Sequence, residues 1–163
     1  MSATPKVLLF KGGDCISWLV KVQSRSQYSH AALLLPNGRC LESYPGKGVR
    51  TRDLTSEDWA RIDAFDVQGI TEEQWAHAAA FALSQLGMPY DWVSVLRFVD
   101  KLPARDNGRW FCSELVFKAI AEGGIRLLER ITSAEVSPQH LAVSPLLIPV
   151  TYFNPEILKH AEA

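Results

Sequence analysis

The sequence carries no surplus of charge: 17 Lys and Arg stand against 18 Asp and Glu, a formal net charge of -1. A nucleic-acid binder needs clustered cations to neutralise phosphates, and no Lys/Arg cluster here alternates with aromatics as a stacking platform would require. Nucleic acid is therefore not an expected partner. Cysteine is scarce as well. Three thiols, Cys15, Cys40 and Cys112, cannot pair completely, and no CxxC or Cys/His spacing marks a zinc site. Reduced thiols and a cytoplasmic location follow as expectations, although delivery by a phage or a dedicated secretion system leaves no mark in a sequence. No apolar run approaches the roughly 18 residues of a membrane span, and the opening MSATPKVLLFKGGD is too short in apolar residues for a secretory signal. Gly46-Lys47-Gly48 lacks Walker spacing and reads as a plain turn. No G-x-S-x-G elbow supports Ser29 or Ser113 as a nucleophile.

What is present suits one domain over residues 1–163: 47% of residues are hydrophobic and 21% charged. Lys6 to Phe10 reads as a strand and Cys15 to about Val22 as a short helix. Ser29 to Leu35 and Arg39 to Tyr44 read as a hairpin across Pro36-Asn37-Gly38. Asp53 to Ala60 holds a helical turn, and Arg61 to Val67 another strand. Thr71-Glu72-Glu73-Gln74 is a capping box that opens a helix to Leu86, with Trp75, Ala78, Ala79, Ala82, Leu83 and Leu86 as its apolar stripe. Asp91 opens a helix to about Val99, and Cys112 opens one closed by Gly123-Gly124. The tail, AVSPLLIPV, supplies an edge strand or extended cover. The predicted architecture is α+β, an antiparallel sheet with helices gathered against it.

Chemistry gathers at three residues. A thiol at a helix start, as at Cys112, faces unpaired N–H groups and the positive end of the dipole, both of which favour a thiolate. A buried, inert cysteine is the plain alternative. His30 occupies a strand position where Leu or Val would be expected, and supplies the base such a thiol needs. Glu42 lies inside the apolar pattern of CLES, where a carboxylate needs a partner; orienting an imidazole is one such job, and an edge-strand surface charge is the other reading. Cys15 is a rival nucleophile, but only 15 positions separate it from His30. Cys40 reads as a packing thiol, and His77 as a surface histidine.

YSHAALL, then LES, then WFCSELV about seventy residues on, resembles the NlpC-type papain-like cysteine hydrolases in their circularly permuted, YiiX-like branch, over residues 6 to 125. The resemblance implies a permuted papain-like fold in which His, acid and Cys follow in that order. Cys112 would be the nucleophile, His30 the general base and Glu42 the orienting third residue. The Cys112 amide would serve the oxyanion, with Tyr90 as a conceivable second donor. Tyr28, Tyr44, Trp92 and Trp110 lie near these residues in sequence as candidate cleft lining. The implied reaction is hydrolysis of a peptide or acyl amide, with cell-wall peptides among the family's substrates, and it needs no metal or organic cofactor. An acyltransferase or thioesterase acting on lipid acyl groups, and a non-catalytic binding module, are the rival expectations. Oligomeric state is not legible.

Overall fold

In a computed structural model, residues 4–12, 27–92, 108–151 and 153 are described. The proposed helix at Cys15, the rival thiol itself and most of the segment after Asp91 lie outside them.

Six antiparallel strands form one sheet: β1 (Val7–Lys11), β2 (Tyr28–Leu34), β3 (Cys40–Tyr44), β4 (Gly48–Arg52), β5 (Ile62–Val67) and β6 (Leu147–Pro149), in the order β4-β3-β2-β1-β5-β6. The described helices are α1 (Ser56–Trp59), α2 (Glu72–Ser84), α3 (Cys112–Glu122) and α4 (Pro138–Ala142), with a 3-10 turn at Ser133–Glu135. This is a single-domain α+β fold with helices packed on an antiparallel sheet.

The β2–β3 hairpin closes through a three-residue loop. Leu35 N donates to Arg39 O at 2.9 Å, and Gly38 N donates to Leu35 O at 2.9 Å. Gly38 takes the left-handed φ of 76° that such a loop demands at its last position. The register is thereby set at Leu33↔Leu41 and Leu34↔Cys40. Residues of even number, His30, Ala32, Leu34, Cys40 and Glu42, consequently share a face.

Each face of the sheet has its own apolar cluster. Val7, Leu9, Ala31, Leu33 and Leu41 pack against Trp75, Ala78 and Ala82 of α2 and Leu115, Val116 and Ile120 of α3. On the other face Leu8, Phe10, Ala32, Leu34 and Cys40 meet Leu54, Trp59, Ile62 and Phe153. A Cys112–His30 pair predicts an even-numbered face turned toward the Cys112 helix; the body of α3 instead lies against the opposite face. The apolar stripe of α2 is also shorter than its periodicity predicts: the helix ends at Ser84, and Leu83 and Leu86 are exposed. β4 had no counterpart in the sequence reading; its residues GVRTR look like a polar turn until Arg50 and Arg52 are seen to face inward.

Candidate active site

The site is built where the β2–β3 ladder stops. Pairing extends only through Leu33↔Leu41 and Leu34↔Cys40, short of His30 and Glu42. The start of α3 reaches the imidazole there although the rest of the helix belongs to the other face. Three hydrogen bonds hold that start in place. Ser43 Oγ donates to Trp110 O at 2.6 Å, Asp91 N donates to the same carbonyl at 3.1 Å, and Ser113 Oγ donates to Val136 O at 2.6 Å. Phe111, in extended conformation (φ -81°, ψ 154°), precedes the helix and offers no side-chain cap. Cys112, buried, is thus the first helical residue, beside first-turn amides that no helical carbonyl can reach.

His30 and Glu42 meet directly: Nε2 and Oε2 are 2.8 Å apart. Glu42 is 1% exposed, so it is no surface charge. Its other oxygen, Oε1, accepts from Arg50 Nε and Nη2 at 3.0 and 2.8 Å and from Arg52 Nε at 2.9 Å. Burial alone would push this carboxyl up. The hydrogen bond and charge of His30, with Arg52 and Arg50 behind them, instead hold it down at about 2. The converse applies to His30. Burial lowers its affinity for a proton, yet hydrogen bonds to Cys112 and Glu42 and their charges raise its pKa to about 9. With Nε2 committed to Glu42, Nδ1 is the ring nitrogen left for the thiol. The ring rests against Phe10 at 5.1 Å and meets the edge of Tyr44 at 5.9 Å.

Tyr90 is buried and joined to Trp110 by a parallel bridge, with its ring 5.9 Å from that of Phe111. Burial, then the neighbouring charges of Cys112 and Asp91, push its hydroxyl far up, so it stays protonated. Trp92 is exposed and stands edge-on to Tyr90 at 5.1 Å.

Two of the candidate lining residues are turned elsewhere. A register irregularity between Phe10 and Lys11 flips Tyr28 off the His30 face, and its hydroxyl donates to Asp63 at 2.6 Å. It lines a separate cavity of about 630 Å³ with Asp63, Phe65, Gln139 and Ala142. Trp110 points its indole at α2, bonding Gln85 Oε1 at 2.9 Å and meeting Phe81 at 6.0 Å. Its backbone, rather than its ring, serves the site. Cys40 is buried with its thiol 3.9 Å from Glu42 Oε2. Arg50 and Arg52 were not foreseen. The available signal was their spacing of two in R-T-R, which places both on one face of a strand opposite Cys40 and Glu42.

No family model matches the sequence, and no curated protein matches it. Among solved structures, the metalloprotein YiiX of Escherichia coli O157:H7 (DUF1105) is similar to this chain. The match covers 93% of this chain and 98% of that one, with 21% identity and a TM-score of 0.69. The two share a fold. Among the described residues no helix is long and apolar enough to cross a membrane.

Proposed function

We propose that the protein is a cysteine hydrolase of the permuted NlpC type, cleaving an amide or ester through an acyl-thioenzyme. The observation that carries this reading is the chain of contacts from the Cys112 thiol to His30 and on to a fully buried Glu42. His30 takes the thiol proton at Nδ1, and the thiolate adds to the substrate carbonyl. The oxyanion that forms is met by the Cys112 amide and the Tyr90 hydroxyl. The imidazolium then gives its proton to the leaving amine or alkoxide as the carbon–leaving-group bond breaks. A water deprotonated by His30 adds to the thioester, and collapse returns the thiol and releases the acid. Glu42 stays ionised throughout, holding the ring by Nε2.

Peptide amides, cell-wall peptides among them, are the substrate class that the resemblance favours. The exposed apolar residues Leu86, Met88 and Trp92, the last against Tyr90, favour a second reading in which the same thiol takes an acyl group from lipid. The structural neighbour is called a metalloprotein. Here Glu42 has both oxygens occupied, which leaves the thiol and Nδ1 as donors, fewer than the three or four of a zinc site. Among the described residues no group of three or more His, Cys, Asp or Glu is arranged to hold a metal ion. This donor set does not fit a resident ion.

Brief labelling with iodoacetamide at pH 6.5, read by mass spectrometry, tests the nucleophile: Cys112 should react ahead of Cys15 and Cys40. Cys112→Ser should retain the fold and lose at least about a thousandfold in turnover on a peptide-amide and acyl-ester panel. Labelling confined to Cys15, or a Cys112→Ser variant as active as wild type, sinks the assignment.

A further inference from the structure

The Glu42 carboxylate is divided between two kinds of partner. All three guanidinium N–H contacts fall on Oε1, at 3.0, 2.8 and 2.9 Å, while Oε2 is given to His30 at 2.8 Å. Neither arginine is a loose surface cation. The Arg50 guanidinium also stacks on Tyr44, 4.4 Å from the ring centroid. Arg52 makes a two-pronged contact with Asp58, Nη1 to Oδ2 at 2.7 Å and Nη2 to Oδ1 at 3.2 Å. Asp58 in turn caps α1 by accepting from Thr55 N at 2.9 Å. The clamp is therefore braced against β3 on one side and α1 on the other.

We infer that Arg50 and Arg52 are positioning residues for the proposed reaction, a two-guanidinium clamp that saturates Oε1 of Glu42, reserves Oε2 for His30 and limits how tightly the carboxylate holds the imidazolium proton. Among the described residues, the titratable and charged groups facing this pair are Cys112 from α3, Cys40 and Tyr44 from β3, Arg50 and Arg52 from β4, and Asp58 behind Arg52. Without the clamp, a lone buried carboxylate would bind the imidazolium with its full charge, and the ring would release its proton reluctantly to a leaving group. With both arginines sharing that charge, the imidazolium remains an acid.

The inference rests on the hydrolase reading for its purpose, but its test does not require turnover. His30 is titrated by NMR of its imidazole in the substrate-free protein, with His30→Asn assigning the resonance. Arg50→Gln, at a partly exposed position that tolerates change, should raise the His30 midpoint by about half a pH unit or more. Arg50→Lys restores the charge and should bring the midpoint back toward wild type, which a purely structural role for the side chain would not do. Arg52→Gln should shift it in the same direction. An unchanged or lowered midpoint in folded Arg50→Gln overturns the clamp. A raised midpoint in a protein that cleaves nothing leaves the clamp standing and removes the hydrolase reading. Turnover with no shift removes the clamp alone.

Discussion

A carboxylate as buried as Glu42 loses several kcal/mol of hydration, and its partners must offset that loss. His30, Arg50 and Arg52 do so together, and removal of the charge would take their shared anion from all three. Glu42→Gln therefore has two expected effects. Unfolding free energy in urea should fall by about 3 kcal/mol, the scale on which an orphaned buried ion destabilises a fold. The His30 midpoint, raised to about 9 largely through Cys112 and Glu42 against the cost of burial, should fall. The alkaline limb of turnover should move down with it. That direction is opposite to the one expected of Arg50→Gln, so the two variants separate loss of the anion from loss of the cations that share it. A Glu42→Gln protein whose alkaline limb stays in place would show that the carboxylate does not control the ring.

At the level of elements, the site depends on contacts that fasten β4 to the segment leading to Tyr90. Gly87 N donates to Val49 O and Val49 N to Met88 O, both at 2.9 Å. Gly48, at φ 69°, sits so close that an added Cβ would collide with the Met88 carbonyl oxygen. Gly48→Ala should cost about 2 kcal/mol through left-handed strain and this clash, lowering Tm by several degrees. Activity should drop with it as β4 and its arginines shift. Melting and turnover curves indistinguishable from wild type would refute the coupling. Much of this scale was readable in advance. Pro36-Asn37-Gly38 specified a three-residue loop, and that loop put Glu42 on the His30 face. Thr71 to Gln74 marked the start of α2 by hydrogen bonds now seen at 3.0 and 3.2 Å. β4 was not readable, because two arginines in a five-residue strand imitate a solvated turn unless their anion, eight and ten positions earlier, is already known to be buried. Nor did periodicity show which sheet face α3 would cover. Alternation assigns residues to faces, and only tertiary packing chooses the face a helix takes.

For the whole molecule, the buried pair ties stability to pH. Glu42 is shifted down from 4.5 to about 2, so its contribution is complete above 4.5 and lost as pH falls through about 2. His30 is shifted up from 6.5 to about 9, so its contribution is complete below 6.5 and lost as pH rises through about 9. The two shifts share the His30–Glu42 interaction and are not additive. Urea-unfolding free energies should accordingly be highest between about pH 4.5 and 6.5, where both contributions are complete. A maximum above pH 9 would contradict this. Cys112 enters this balance through His30. Replacing its thiol with another small group leaves the Glu42 contacts in place, whereas replacing Glu42 takes the shared anion from His30, Arg50 and Arg52. On the hydrolase reading, the proposed nucleophile is therefore the member whose loss disturbs the fold least. On that reading, a descendant without it would inherit the fold and the buried charges, and would serve as a receptor for the substrate proposed for its ancestor.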